Sequence, residues 1–377
     1  MIRTQSSQVV TTDRNGKNVR WLGQLGHVNQ LKYSFVEPGG CEAMSCLLNR
    51  PPTFRTDAMD CGRLVRIYRG GMSPVWKGTM DEPVSGPQGW QMTAHGSGTY
   101  GTNIMSNSET WDANTPLNRA IASGLLWKNP GIPTTPGYVF LTATQPDPFS
   151  QTTTDFMNML VKQVGKLWHV DRITDNVSIF PYPSVVNRLI TSTEPLSRTL
   201  IANVNRLILK YQSGAGTVNN PIYGFTSVEN TQSVHKYGAL EETLDLSPAA
   251  AVIASGTGGA APAYVPMTEL QAQNIGGAVL TYYQSISYTT SINVRYGQLM
   301  TKGGTPIDPG TDQAGTVARL IAIDSGYGGE VNPGPVTFVV GRYEYDDDTL
   351  TAAITPIQSY RTDIASLLAI MVPSVRQ

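Results

Sequence analysis

The sequence has few charged residues, few cysteines and no long apolar run. Asp, Glu, Lys and Arg make up 15% of its 377 residues, against about 25% in typical soluble proteins. The formal net charge is −1, so no strong field would draw the chain to nucleic acid or to an anionic membrane. Thr, Ser, Asn, Gln and Gly must supply the polar surface instead. This favours a protein whose surface lies in permanent contact with neighbours; an ordinary β-rich extracellular domain is the alternative.

No apolar run approaches the roughly 20 residues of a membrane-spanning helix, so none is predicted. Residues 1–8 lack the apolar core of a signal peptide. We therefore expect the protein to be made and assembled in the cytoplasm.

The three cysteines, Cys41, Cys46 and Cys61, do not have the number or spacing of a zinc site, which usually takes four ligands with C-x2-C pairs. His27 is the nearest histidine and fits no zinc-finger pattern. Buried free thiols are the main expectation. One disulfide and a metal site are the alternatives, and the sequence leaves the redox state of these residues open.

Glycine and proline are abundant, with 37 and 25 residues, and they interrupt the chain at short intervals. This predicts a β-dominated α+β fold with many turns. Apolar and polar residues alternate over 64–68, 75–80 and 90–94, which indicates three strands. Asn15-Gly16 adds a hairpin turn, and 31–35 is another alternating stretch. Residues 1–105 are thus predicted to form one unit of five or six strands.

The rest of the chain divides into three predicted segments. Residues 106–185 form a small α/β insertion, 186–265 a second β unit, and 266–377 a C-terminal helix followed by β structure. Proline at the first helical position and a Thr268–Gln271 capping box mark two of the helix starts. The predicted helices begin at 114–116, 152–154, 268 and 362; the predicted strands span 138–142, 168–171, 177–180, 204–211, 243–246, 285–298, 316–324, 336–345 and 350–355; a Gly-rich turn falls at 214–216 and a flexible loop at 247–264.

Several stretches carry a resemblance when they are taken in order along the chain. They are the strand and turn pattern of 62–101, Asn203–Leu209, Ser233–Gly238, Gly297–Arg319 and Val340–Asp347. Together they resemble the minor tail proteins of long-tailed actinobacterial phages, which are related to the baseplate hub of contractile tails. His235 departs from the pattern, because a small residue is usual there.

The resemblance implies a homotrimer in which each chain carries two tail-tube-like β-barrels, at 1–105 and 186–265. Three such chains would present six similar domains to a hexameric distal tail protein ring. The other implied partners are the tape-measure protein and further minor tail or receptor-binding proteins, with no specific nucleic-acid sequence. The expected location is the tail tip of the virion.

Motifs that could carry chemistry are weak. Residues 96–101 match the dinucleotide pattern G-x-G-x-x-G, but no helical period or βαβ unit follows, so a Gly-rich strand end is the interpretation. No G-x-S-x-G nucleophile motif is present. The four histidines lie in separate segments: His27, His95, His169 and His235.

The acidic clusters, Asp81-Glu82 and the loop 344–348, fall at turns rather than across a cleft, where a glycosidase would need them. A cation bound by 344–348 is an alternative to a solvated turn. Trp76 and Trp90 lie on predicted strands and are assigned to the core rather than to a sugar-binding face.

We therefore predict a structural protein and not an enzyme, with no catalytic, cofactor-binding or metal-binding residues. Its predicted role is a trimeric tail-tip hub that caps the tail tube and opens for DNA ejection. A distal tail ring protein or a receptor-binding tip protein is the first alternative. A module that binds or hydrolyses cell-wall glycan is an alternative of another class.

Overall fold

The computed structural model describes residues 6–104, 114–131, 152–164, 166–181, 183–191, 198–200, 204–217, 220–246, 267–283, 286–288, 291–321 and 336–357. These residues contain 21 strands and five α-helices. The helices are α1 (Leu22–Leu25), α2 (Asn114–Ala122), α3 (Thr153–Val164), α4 (Thr231–Tyr237) and α5 (Glu269–Tyr283). The strands are β1 (Ser7–Thr12), β2 (Arg20–Trp21), β3 (His27–Val36), β4 (Gly40–Asn49), β5 (Leu64–Arg69), β6 (Pro74–Met80), β7 (Val84–Gly86), β8 (Gly89–Gly96), β9 (Lys166–Val170), β10 (Val177–Pro181), β11 (Arg188–Ile190), β12 (Arg198–Leu200), β13 (Arg206–Thr217), β14 (Asn220–Glu229), β15 (Glu241–Asp245), β16 (Ile286–Tyr288), β17 (Ile292–Arg295), β18 (Leu299–Thr301), β19 (Val317–Leu320), β20 (Thr337–Asp346) and β21 (Thr351–Pro356).

Strands from both ends of the chain form one 14-stranded sheet. Its order is β18-β11-β19-β20-β3-β4-β8-β6-β5-β1-β2, while β21 and β17 branch from β20 and β7 lies beside β8. β20 pairs antiparallel with β3, so that Tyr343 lies opposite Phe35. The segments 1–105 and 266–377 therefore share a sheet, and the division of the chain at 105, 185 and 265 stays a prediction.

The fold is β-dominated, and that part of the fold prediction is confirmed. The two terminal strands of the large sheet, β18 and β2, do not pair with each other, so the sheet is open within the described residues. The description of 1–105 and 186–265 as two closed barrels stays a prediction.

Aromatic residues of β3 and β20 form the centre of the main core. Tyr33, Phe35, Tyr343 and Tyr345 are each no more than 2% exposed. The ring centroids of Tyr33 and Tyr345 are 5.2 Å apart, and those of Phe35 and Tyr343 are 6.4 Å apart. Full burial of a side chain such as Phe35 stabilises a fold by about 1.5–3 kcal/mol. These contacts therefore join the two ends of the chain tightly.

Helices α2 and α3 and the hairpin β9–β10 form a second, smaller core, centred on Trp127 and Trp168 with a centroid distance of 5.3 Å. The helices and strands predicted for this region at 114, 152, 168 and 177 are present. Polar groups contribute to the contact between this unit and the large sheet. His169 Nδ1 lies 3.2 Å from Glu37 Oε2, and Lys77 forms a buried ion pair with Asp175.

A third core lies between α5 and the three-stranded sheet β14-β13-β15. The predicted capping box is confirmed, because Thr268 N donates to Gln271 Oε1 at 2.8 Å and Gln271 N donates to Thr268 Oγ1 at 3.2 Å. The predicted Gly-rich turn at 214–216 is wrong: β13 continues through it to Thr217.

Two elements of this third unit were not predicted. Strand β14 contains Pro221 and Gly224, which sequence rules treat as strand breakers. However, β14 is an edge strand, where proline is tolerated, and the ring of Tyr211 occupies the space that a side chain at 224 would need. Helix α4 covers most of the Ser233–Gly238 motif, for which the sequence analysis predicted no helix. The Asn230 side chain caps it by accepting a hydrogen bond from Ser233 N at 3.1 Å.

The short turn formed by residues 308–312 ties the parts of the chain together. Arg69 of β5 donates from Nε to Asp308 at 2.7 Å. Arg188 of β11 donates from two nitrogens to the two oxygens of Asp312, each at 2.9 Å. A bidentate arginine–carboxylate pair of this kind fixes both distance and orientation.

Three further side chains hold the backbone of the 308–312 turn. Arg172, which lies between β9 and β10, donates to the Thr311 carbonyl at 3.4 Å. The hydroxyls of Tyr33 and Tyr343 donate to two other carbonyls of the turn. Arg69, Arg172 and Arg188 come from the predicted segments 1–105, 106–185 and 186–265, and all three bind the 308–312 turn of the segment 266–377.

Three predicted elements lie outside the described residues: the strand 138–142, the loop 247–264 and the helix 362–371. Among the described helices, none has the length and apolarity to cross a membrane.

Candidate interaction surface

The G-x-G-x-x-G motif does not open an α-helix. Ser97–Asn103 form a 3-10 helix, which offers no α-helix N-terminus for a pyrophosphate. A side chain at Gly96 or Gly98 would collide with the backbone of 39–42. The glycines therefore allow two backbone segments to approach closely, in agreement with the interpretation of a Gly-rich strand end.

The structure brings together His95 and Asp81, which the sequence places in separate motifs. His95 Nδ1 lies 2.8 Å from Asp81 Oδ1, and the side chains are 38% and 44% exposed. The antiparallel pairing of β6 and β8, which sets Met80 opposite Ala94, brings the two residues together. In the described part of the chain, no hydroxyl or thiol is hydrogen-bonded to His95. The pair therefore lacks the bonded nucleophile of a Ser-His-Asp arrangement.

His95 and Asp81 help to line an open cleft of about 670 Å³ on the polar face of the large sheet. Its charged groups are already paired with one another. Lys32 Nζ lies 3.1 Å from Asp346, and Arg342 Nε lies 3.0 Å from Glu42. The charged side chains of the cleft are therefore held in contacts with one another.

The acidic loop 344–348 is bound to neighbouring strands. Glu344 pairs with Arg342, Asp347 pairs with Arg69, and Asp348 accepts a hydrogen bond from Gln30 N at 3.1 Å. No group of three His, Cys, Asp or Glu side chains suited to a metal ion occurs in the described ranges.

All three cysteines are free thiols in the structure. Cys41 and Cys46 are buried as predicted, and burial raises the pKa of Cys41 to about 11 and that of Cys46 to about 12. The prediction is wrong for Cys61, which is exposed because it lies in the turn before β5.

Four tryptophans lie in cores. Trp76 and Trp90 are 0% and 7% exposed, which confirms their assignment, and Trp127 and Trp168 are no more than 1% exposed. Trp21 differs, because it is 38% exposed. Trp111 lies outside the described residues.

Among the described strands, β14 carries the most exposed large apolar side chains, Ile222, Tyr223 and Phe225, and it lies at the edge of the β14-β13-β15 sheet. Helix α5 covers one face of this sheet, where Gly276 approaches Leu209 and Val228. On β14, Tyr223 and Phe225 alternate with the residues that face α5, and they are 40% and 65% exposed. We call the face opposite α5 the open face.

Ion pairs border the aromatic residues of the open face. Arg206 lies between Glu229 at 2.7 Å and Glu241 at 2.8 Å. Lys210 pairs with Asp245 at 3.1 Å, and its ammonium lies 4.2 Å from the ring centroid of Tyr223. Aromatic groups surrounded by a satisfied polar rim are typical of protein interfaces. In addition, β14 has no second strand partner in the described sheet, so its outer backbone edge is available for pairing.

No family model and no curated protein matches the sequence. Three solved structures are similar along nearly the whole chain. The 43 kDa tail protein of prophage MuSo2 from Shewanella oneidensis has a TM-score of 0.57 at 11% identity, with 97% of this chain and 98% of that chain covered. Prophage tail protein gp18 from Listeria monocytogenes EGD-e has a TM-score of 0.53 at 10% identity, with 98% and 100% covered. The tail protein from Neisseria meningitidis MC58 has a TM-score of 0.51 at 9% identity, with 97% and 99% covered. At these identities the likeness concerns the fold, and the chain has a fold found in phage tail proteins.

Proposed function

We propose that the protein is a structural component of a phage tail. The observation that carries this is the likeness of the fold over 97% or more of the chain to three tail proteins, each of which is itself covered to 98% or more. The match extends over nearly the whole chain and is not limited to one part of it. The paired charges of the cleft and the absence of a nucleophile bonded to His95 in the described residues agree with a role that does not involve catalysis.

Within the tail, we propose the place of the hub at the tip. Three copies would form a ring that caps the tail tube, joins a hexameric distal tail protein ring and releases DNA and the tape-measure protein on opening. The low charge of the chain and the exposed aromatic residues of the open face support a protein that is permanently in contact with neighbours. In this proposal the open face and the β14 edge form a contact between subunits.

Stoichiometry tests this role. Mass photometry of the purified protein and averaged images of tail tips should show three copies per particle. A ring of six copies would favour a distal tail ring protein instead, and a monomer within the virion would contradict the hub.

The open face is tested by substitution. Phe225→Glu should prevent trimer formation, because it replaces an apolar ring in the contact by a carboxylate that is costly to desolvate, opposite a Lys210 that is already paired with Asp245. Met72→Glu is the matched control: Met72 is 99% exposed at the tip of the β5–β6 hairpin, so the trimer should persist. Equal behaviour of the two variants would exclude the open face as a subunit contact.

The glycan-hydrolase alternative is tested with purified protein on cell walls of the host bacterium. We expect no loss of turbidity for the native chain or for His95→Ala. Cleavage by the native chain that His95→Ala abolishes, with assembly intact, would overturn the structural role.

A further inference from the structure

The third unit, which begins with β13 and ends with α5, is separate from the rest of the chain in both its sheet and its core. In the described part of the chain, β13, β14 and β15 pair only with one another, so this sheet does not continue into the 14-stranded sheet. Its core draws on residues between Val204 and Leu280. The two other cores, as far as they are described, include no residue of that segment. A segment with its own sheet and its own core has the organisation of a domain.

The chain enters and leaves the third unit through one two-stranded ribbon. β12 precedes the unit in the chain and β16 follows it. The two strands pair antiparallel over three residues, with Thr199 opposite Ser287. Within the described residues, neither strand pairs with the large sheet or with β14-β13-β15. Because β11 and β17 on the far side belong to the large sheet, both connections to that sheet run through the ribbon.

A ribbon of this size is a weak mechanical link. Three residue pairs at about 3.3 Å per residue span roughly 10 Å, and a two-stranded sheet is at best marginally stable alone. The described cores on its two sides are separate clusters, so bending the ribbon takes no residue out of either. Domains that lack a large shared apolar interface move relative to each other by default.

The second unit, built from α2, α3 and β9–β10, shows what a fixed attachment looks like. Its backbone is bonded directly to the end of β3, because Gly39 N donates to the Trp168 carbonyl and Val170 N donates to the Gly39 carbonyl, each at 3.0 Å. In the third unit, bonds outside the strand ladders run between its own residues. Met267 N, for example, donates to the Gln212 carbonyl at 2.8 Å.

We infer that β12 and β16 form a hinge, about which the third unit turns as a rigid body relative to the large sheet. A few backbone residues are enough to absorb such a rotation. The open face, with Tyr223 and Phe225, belongs to this unit, so the rotation changes the direction in which it points. That effect on a subunit contact rests on the proposed function, whereas the hinge itself does not.

Distances between two spin labels on the full-length chain, measured by pulsed electron paramagnetic resonance, test the hinge. Cys61, in the turn before β5, is an exposed native thiol and takes the first label, while Cys41 and Cys46 are buried. Leu270→Cys places the second label on α5, where Leu270 is 66% exposed; this is the hinge pair. Thr337→Cys, at an exposed position on β20 of the large sheet, gives the control pair. Dilution with unlabelled Cys61→Ser chains restricts the measurement to distances within one chain.

We expect the distance distribution of the hinge pair to be at least about twice as wide as that of the control pair. Arg198→Gly, Thr199→Gly and Leu200→Gly, made together, lower the strand propensity of the ribbon. This triple variant should widen the hinge-pair distribution further. Its control pair should stay narrow, which also shows that the large sheet is intact.

Equal widths for the two pairs in the otherwise native chain would overturn the hinge, and this comparison does not depend on the folding of the triple variant. An unchanged hinge-pair distribution in a folded triple variant would show that the motion does not involve the ribbon and would also overturn it. Mass photometry separates the hinge from the hub role. Three copies per particle with equal widths would reject the hinge alone, and a monomer with a wide hinge-pair distribution would reject the hub alone.

Discussion

Removal of the Arg69 charge should be one of the most destabilising single changes in the chain. The Arg69 side chain is 1% exposed and pairs with Asp308 and Asp347, whose side chains are 26% and 19% exposed. Its guanidinium also lies 5.0 Å from the ring centroid of Tyr345. Arg69→Met keeps much of the apolar stem but leaves both carboxylates without their cation.

The magnitude follows from burial. Removal of one partner of a buried ion pair costs about 3–5 kcal/mol. Because both carboxylates retain some contact with water, we expect the lower end, about 3 kcal/mol. With an unfolding entropy of about 2.1 cal/mol/K per residue, this corresponds to a fall of roughly 4 °C in melting temperature for a chain of this length.

Arg20→Met is the matched control, since Arg20 and its partner Asp57 are 52% and 50% exposed. An exposed pair contributes about 0–1 kcal/mol, so the control should unfold almost as the native chain does. Equilibrium unfolding in urea, followed by tryptophan fluorescence, measures both variants. Adding Asp308→Asn and Asp347→Asn to Arg69→Met should recover part of the loss, because no unpaired carboxylate remains. Equal unfolding free energies for Arg69→Met and Arg20→Met would refute the reasoning.

Three other predictions concern a buried acid, a glycine and the thiols. Burial raises the pKa of Glu37, and a hydrogen bond and charge from His169 partly oppose that rise. The folded protein therefore keeps a proton on Glu37 that the unfolded chain releases near pH 4.3. The free energy of unfolding should fall as the pH rises from there towards the pKa of Glu37 in the folded state. Glu37→Gln should remove this fall in unfolding free energy between pH 4 and 8, and identical pH profiles would contradict the assignment. Gly96→Ala should lower the free energy of unfolding by at least about 2 kcal/mol, because its Cβ would overlap the Cys41 backbone. The control Gly71→Ala, whose Cβ would have no atom closer than 4.0 Å, should change the free energy of unfolding by no more than about 0.5 kcal/mol. Similar melting temperatures for the two variants would rule out close packing at Gly96. Ellman's reagent should modify one thiol quickly in the native protein, Cys61, and the other two only in urea; a fast thiol that persists in Cys61→Ser would show that Cys41 or Cys46 is accessible.

Local signals in the sequence were sufficient for several elements. Alternation over 64–68 predicted β5, Asn15-Gly16 predicted the β1–β2 hairpin, and the capping box predicted the start of α5. In each case the residues that determine the element are neighbours in the chain. The β-dominated fold follows from many such signals together.

Contacts between distant residues could not be predicted in the same way. No pattern in β3 indicates that its partner is β20, because alternation gives the buried face of a strand but not its neighbour. The pairing of His95 with Asp81 and the meeting of Arg69 and Arg188 at the 308–312 turn depend on such long-range register. Strand β14 was missed for a different reason: its edge position tolerates Pro221, and edge position is a property of the whole sheet.

The pairing of β3 with β20 has a consequence for synthesis of the protein. Val36 and Arg342 are register partners, separated by about 300 residues. At a translation rate of about 5–20 residues per second, roughly 15–60 s pass between the emergence of the two strands from the ribosome. During that time β3 presents an unpaired edge, and the turn that receives three arginines does not yet exist. A chain that ends before β20 cannot complete its main core, to which Tyr343 and Tyr345 contribute, and until β20 emerges the free edge of β3 is open to pairing with other chains.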